Sequence, residues 1–304
     1  MKRSIRIRYT AGALGDVVVL TAAVRDLGAA NPDVHIEVDT PFPVVFWNHP
    51  AVARHRDPDA ELVEITEEDY REMVGQSRTG QPRHFIHAFH DVLTRKTGLP
   101  CPPGAPKPAL LSGCTGRPVN RPYWLLLAGG KSDMPVKIWD FDRYQQLVNE
   151  LKTHGVLVVQ TGRKEDTHQP LQNTVNMIGV GGTREYFRQV QHCRGVICGL
   201  TSGVHLAAAF NKPCVVLAGG REDKHWSHYP GHTYLHSLGQ LDCCKTGGCW
   251  KKTLPECGNT RTTAEGQILP VCLAEISVTA VVAAVLSYQR TRKGLCEDAP
   301  NETC

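Results

Sequence analysis

Residues 196–220 read VICGLTSGVHLAAAFNKPCVVLAGG, and the fold follows from this stretch. Val196 to Cys198 is a short β-branched run of strand character. Thr201-Ser202-Gly203 opens a helix of small residues that runs to about Phe210, where Asn211 and Pro213 end it. Cys214 to Ala218 is a second apolar strand, broken by Gly219-Gly220. Two strands joined through a helix form a βαβ unit, and such strands lie parallel in one sheet.

The alternation continues on both sides. Upstream, Tyr123 to Leu127 is an apolar run ending in Gly129-Gly130. Asp140 is placed to cap a helix whose buried face is Phe141, Tyr144, Leu147, Val148 and Leu151, with Trp139 and Tyr144 as its hydrophobic staple. Val156 to Gln160 is a strand ending in Thr161-Gly162, and Val175 to Ile178 is another. Thr183 caps a helix to about Cys193. Downstream, Ser277 caps a final helix, stapled by Ile276 and Val281.

At the other end, Ile5 to Tyr9 is a strand, Gly12 to Asp16 a glycine turn, and an apolar helix runs to about Ala30 before Asn31-Pro32. Val34 to Val38 completes a second βαβ unit. Seven of the 20 prolines fall between Pro100 and Pro122, a stretch that continues neither helix nor central strand and reads as a linker. The expectation is an α/β protein of two doubly wound parallel-sheet domains facing a cleft. These are residues 1–118 and 119–290, with a Cys-rich insert at 240–274 and a tail at 291–304. Ligands of such sheets sit at the carboxyl ends of strands, here in the cleft between domains.

Composition narrows the function. Over 304 residues, 34 Lys and Arg against 30 Asp and Glu leave a net charge of +4, which argues against a nucleic-acid binder. With 41 % hydrophobic residues the chain can fill a core, and it has no apolar run of spanning length. The opening Met1 to Arg8 is charged, with no apolar stretch behind it to make a secretory signal. The cytoplasm is therefore expected, with the 12 cysteines as thiols or metal ligands and the Asn301-Glu302-Thr303 sequon idle.

Several residues stand where chemistry is done. Asp16, just after the glycine turn, is either a helix-end carboxylate accepting backbone N–H bonds or a general base facing the cleft. Lys137 precedes a helix N-terminus, where it either offsets the charge of a diphosphate or stays solvated at the surface; Lys131 is a second candidate. Thr201, Ser202 and Gly203 offer hydroxyls and free N–H groups to a phosphate. His205 either contacts the ligand or is packed and satisfied by a carbonyl. Gly15, Gly129, Gly130, Gly162, Gly219 and Gly220 would let phosphates approach the backbone. Cys243, Cys244, Cys249, Cys257 and Cys272 crowd a loop-rich, apolar-poor region, where four thiolates around iron or zinc would supply the missing stability. Ordinary reduced cysteines are the alternative.

In their order, these segments resemble glycosyltransferase family 9, the ADP-heptose:lipopolysaccharide heptosyltransferases. The segments are Gly12-Ala13-Leu14-Gly15-Asp16-Val17-Val18 with its continuation to Asn31-Pro32-Asp33, Gly129 to Trp139 with Lys137-x-Trp139, and Ser202 to Ala209 followed by Lys212-Pro213. Cys244-x4-Cys249 with the later Cys272-Leu273-x-Glu275-Ile276 joins them. The resemblance is weak over residues 40–120. It implies a GT-B architecture and inverting transfer of a heptose or related sugar from a nucleoside-diphosphate donor to a saccharide or protein hydroxyl. Asp16 matches the family's base and Lys137 its phosphate lysine. The dense cysteines look like the branch acting on autotransporter proteins, whose members carry cysteine-bound iron and form rings, so a homo-oligomer is implied. Leu200 stands where the lipopolysaccharide enzymes usually have Asp. Two rival readings remain: a sugar-nucleotide epimerase of the same architecture, and a non-catalytic nucleotide-sugar-binding or scaffold subunit.

Overall fold

The computed structural model describes residues 3–10, 12–78, 83–111, 113 and 115–297. The amino-terminal half runs β1 (Ser4–Arg8), α1 (Leu14–Ala30), β2 (His35–Asp39), β3 (Glu61–Glu64), α2 (Glu67–Arg78) and α3 (Phe85–Thr97). Its sheet has the order β2-β1-β3, all parallel, with Ile5 opposite Ile36 and Glu61. The chain runs from β1 out to β2, then back past β1 to β3, so the order reverses at β1. Among the described residues, 40–120 hold one further strand and otherwise form helices and an irregular connector.

The second half begins with β4 (Trp124–Leu126), β5 (Gly129–Gly130), α4 (Phe141–Thr153), β6 (Val158–Gly162), β7 (Thr167–His168) and β8 (Val175–Ile178). It continues through α5 (Thr183–His192), β9 (Gly195–Gly199), α6 (Ser202–Ala209), β10 (Cys214–Gly219) and β11 (His232–His236). Last come α7 (Leu254–Cys257), β12 (Thr260–Thr262), β13 (Ile268–Pro270), α8 (Val271–Ala274) and α9 (Val278–Glu297). The main sheet has the order β11-β10-β9-β4-β6-β8 and is parallel throughout. The chain moves outward from β4 through β6 to β8, then returns to β9 on the other side of β4. The strand order therefore reverses between β4 and β9, where a crevice opens in sheets of this kind.

Alternation along each strand divides the core. Trp124 and Leu126 pack with α4, α8 and α9 on one face. Leu125 and Leu127 point the other way, into a second cluster with α5 and α6. That second cluster is continuous with the core of the amino-terminal half, including Ile5, Ile7, Val18 and Phe89. Phe85 of α3 stacks on Trp226 at 4.5 Å, and its backbone N–H donates to the Trp226 carbonyl at 2.8 Å. The two sheets thus share one apolar body.

The connector between α3 and β4 is stitched down along α1. Arg25 donates to the carbonyls of Ala105 and Lys107, Gly104 N–H donates to Asp26, and Ala109 N–H to the Thr21 hydroxyl. Lys107 then reaches across to Asn211 at 2.6 Å.

Several local expectations need correction. Gly182, not Thr183, holds the cap position of α5, without a side-chain bond. The strand expected from Val156 begins at Val158, because Gly155 and Val156 still bond back to the end of α4. The stretch expected to be a tail from residue 291 continues α9 to Glu297; residues 298–304, with the sequon, lie outside the described residues. The Cys-rich insert is no free loop. It contains the β12–β13 hairpin, buries Leu269 and Leu273, and ties Gln267 to Trp139 and Phe141. Among the described residues no helix is long and apolar enough to cross a membrane.

Candidate active site

Four turns leave the carboxyl ends of parallel strands and meet. The first joins β1 to α1. Asp16 lies in the first turn of α1, three residues after the cap residue Ala13, and its Oδ2 accepts the Ala13 N–H at 2.9 Å. The carboxylate therefore does satisfy a helix-end donor. Burial nonetheless raises its pKa to about 6, against the lowering effects of that bond and of Lys137. Gly15 lies against the start of α6: a Cβ there would come 3.3 Å from both Ser202 Cα and His205 Cδ2. Glycine thus lets the first turns of α1 and α6 touch.

The second turn follows β4 and ends in a 3-10 helix, Pro135–Lys137. Lys137 Nζ donates to the Leu200 carbonyl and to Glu222 Oε1, each at 2.9 Å. Leu200 follows β9, so this lysine bridges the two turns where the strand order reverses. Burial lowers its pKa, and the Glu222 carboxylate works in the opposite direction. Lys131, by contrast, is surface-exposed and paired with Asp133 at 2.9 Å.

The third turn supplies the start of α6. Thr201 is its cap, with Oγ1 accepting the Gly203 N–H at 3.3 Å, and Ser202 is its first residue. His205 Nδ1 lies 2.8 Å from the Tyr229 hydroxyl, and burial drops its pKa to about 3, so the ring is neutral. The ring is thus buried, and its Nδ1 meets a hydroxyl where a carbonyl was expected.

The fourth turn follows β10 and carries Arg221 and Glu222. Glu222 is 7 % exposed and bonded by both Lys137 and Arg221. Burial alone would raise its pKa, but the two cations hold it below the ordinary value. Asp16, Lys137 and Glu222 are thus close enough to shift one another's charge states.

The other glycines stand close to neighbouring segments. A Cβ at Gly129 would strike the Thr167 carbonyl, one at Gly162 the His168 ring, and one at Gly219 or Gly220 would crowd Cys272 or Cys244. Gly130 lies beside Ile138.

The cysteines gather behind Gly219-Gly220. Cys244 and Cys272 are buried, Cys249 and Cys257 half-buried, and Cys243 exposed. The Cys249 N–H donates to the Gly220 carbonyl. Burial raises the Cys272 thiol to about 11, and Cys249, Cys257 and Cys244 push the same way. Among the described residues no three His, Cys, Asp or Glu side chains stand in a metal-holding arrangement.

Sequence reasoning missed Glu222, Arg221, Tyr229 and Tyr186, whose hydroxyl lies under Gly203. A signal existed for the first two. Leu217 to Arg221 repeats the pattern of Leu127 to Lys131, and an acid directly follows its cation at the end of a strand.

Comparison with known proteins bears on the family and the fold. The model of glycosyltransferase family 9 (heptosyltransferase) matches residues 50–247. No curated protein sequence matches the chain. Among solved structures it is similar to a family 9 glycosyl transferase of Veillonella parvula DSM 2008, at 14 % identity and TM-score 0.65 over 94 % of this chain and 97 % of that one. It is similar to the E. coli ADP-heptose lps heptosyltransferase II at 14 % and 0.62, over 96 % and 99 %. The dodecameric iron-containing heptosyltransferase TibC of enterotoxigenic E. coli aligns at 15 % and 0.68, over 95 % and 76 %. At such identities these likenesses establish the fold. With the family model spanning most of the chain, the protein belongs to glycosyltransferase family 9, the heptosyltransferases, and is a glycosyltransferase.

Proposed function

We propose that the protein is an inverting GT-B glycosyltransferase whose domains, residues 1–118 and 119–290, meet around Asp16 and Lys137. The donor is a nucleoside-diphosphate heptose or a related sugar, a reading supported by TibC, whose structure holds ADP-D-beta-D-heptose. The acceptor is a hydroxyl of a saccharide or a protein. Asp16 removes the proton of that hydroxyl as its oxygen bonds to the anomeric carbon. The bond from that carbon to the diphosphate oxygen breaks on the opposite face, and the electron pair leaves with the diphosphate. Lys137 and the N–H groups of Thr201, Ser202 and Gly203 stabilise the leaving charge. Gly15, Gly129, Gly130, Lys131, Gly162, His205, Gly219 and Gly220 complete the donor surround. The observation that carries this reading is the meeting of strand ends from both sheets, where Gly15 beside Asp16 lies against the start of α6 and Lys137 bonds the Leu200 carbonyl and Glu222. Replacing Asp16 by Asn should lower kcat by about 10²- to 10⁴-fold with donor affinity kept. Unchanged turnover would remove Asp16 as the base.

The same proposal includes a structural metal, iron or zinc, held by four of Cys243, Cys244, Cys249, Cys257 and Cys272. Its support is the gathering of Cys244, Cys249 and Cys272 at Gly219-Gly220. Iron-containing TibC adds weight, and its dodecamer supports a homo-oligomer here.

A further inference from the structure

Lys137 does not have Glu222 to itself. Its Nζ donates to Glu222 Oε1 at 2.9 Å, and Arg221 donates from Nη1 to the same oxygen. Two cations bonded to one atom stand no more than two hydrogen-bond lengths apart, about 6 Å. A buried carboxylate needs one counter-charge, and Lys137 supplies it. The second cation is surplus to that need. Two positive groups held this close repel each other, and an anion placed between them relieves the repulsion.

Position puts the pair on the donor side. Strands β9 and β10 are neighbours in the sheet, and Arg221 lies two residues past the end of β10. The same corner holds the start of α6, and Lys137 bonds the carbonyl of Leu200 just before it. The Cys-rich insert fixes the arginine. Its Nε donates to the Lys251 carbonyl at 2.8 Å, and its own carbonyl accepts the Trp250 N–H at 2.8 Å. Gly248 crosses so closely that a Cβ there would come 2.5 Å from that carbonyl. The Arg221 side chain is 12 % exposed, against 48 % for Lys131, so it is no free surface cation. Its Nη2 makes no hydrogen bond among the described residues and is the donor left for a ligand. Burial, Asp16 and Glu222 raise the pKa of Tyr70 in α2 while Arg221 lowers it, in keeping with a guanidinium turned toward the amino-terminal half.

Resting on the donor reading above, we infer that Arg221 is the second cation of the diphosphate site. Its guanidinium takes the oxygens of one phosphate while Lys137 takes those of the other. Glu222 keeps the two cations together when no donor is bound. A guanidinium already aimed by Lys251 loses little freedom on binding, and its planar fork matches a phosphate. The site is thereby matched to ligands with two adjacent phosphates rather than one.

The test is calorimetric titration of the full chain with ADP, UDP and inorganic pyrophosphate, with AMP and UMP alongside. The wild type should bind pyrophosphate and at least one of the two nucleoside diphosphates. Lys137→Gln and Arg221→Gln should each weaken that binding about tenfold or more, and monophosphate binding less. Arg221→Lys should fall between, since it keeps the charge and loses the fork. An arginine that merely neutralises Glu222 behaves differently: its loss would vanish in a Glu222→Gln background, whereas a direct contact keeps the tenfold loss there. Full diphosphate affinity of Arg221→Gln, or recovery in the Glu222→Gln background, would overturn the inference and leave the donor reading resting on Lys137. No binding of any probe by the wild type, or no effect of Lys137→Gln, would sink the donor reading and the inference with it. The unliganded Tm shows which variants fold. If Arg221→Gln does not, Arg221→Lys decides, and wild-type affinity in that variant is the overturning result.

Discussion

Asp16 bonds the Ala13 N–H through Oδ2, yet burial holds its pKa near 6. A base must be unprotonated, so kcat/KM should rise with pH along a limb of apparent pKa about 6; a profile flat between pH 5 and 7 would contradict the assignment. Glu222 bears on this limb and on a descending one. Its carboxylate raises the pKa of Lys137 against burial and also raises that of Asp16, so Glu222→Gln should move both limbs to lower pH. Asp16, Lys137 and Ser202 were legible in the sequence because each sits at a strand-to-helix junction, where free N–H groups and strand ends coincide. Glu222 was not, because its meaning comes from Lys137, 85 positions away. Only folding brings that pair together.

Elements with local signals were read closely. Asp140 caps α4, accepting the N–H groups of Asp142 and Arg143 at 2.9 and 3.3 Å, and the staple rings of Trp139 and Tyr144 meet edge to face at 5.0 Å. Asp140→Ala should therefore cost about 1 kcal/mol of stability, visible as a lower Tm with activity retained. Ser277 likewise accepts the Ala280 N–H at the start of α9. Elements fixed by distant partners escaped. Helix α3 mixes His84, His87 and His90 into its apolar face, and what defines that face is Trp226 in the other half. Strand β3 shows one buried residue, Val63, among exposed neighbours, too faint a pattern to read alone.

Across the whole molecule, buried histidines make stability depend on pH. Burial lowers the pKa of His49, His84 and His232 to about 4 and that of His205 to about 3, below the usual 6.5. Between about pH 4 and 6.5 the unfolded chain takes up protons there that the folded chain refuses, so folding weakens as pH falls through that window. Asp16 acts the other way, since its folded form binds a proton near pH 6 that the unfolded carboxyl releases; four rings outweigh one acid. Tm should drop steadily from pH 6.5 to 4.5, and a constant Tm would contradict this burial. Removal of the proposed metal by a strong chelator should lower Tm as well, with metal analysis of the native protein showing about one iron or zinc per chain.

The proline-rich linker is laced to α1 through Arg25, Asp26 and Thr21 and tied to Asn211 beyond it. Helix α1 also carries Asp16 in its first turn. Tension on that strap is therefore tension on the rod bearing the proton acceptor. A swing of one half against the other cannot leave the carboxylate behind, because the cord and the chemistry are fastened to the same beam.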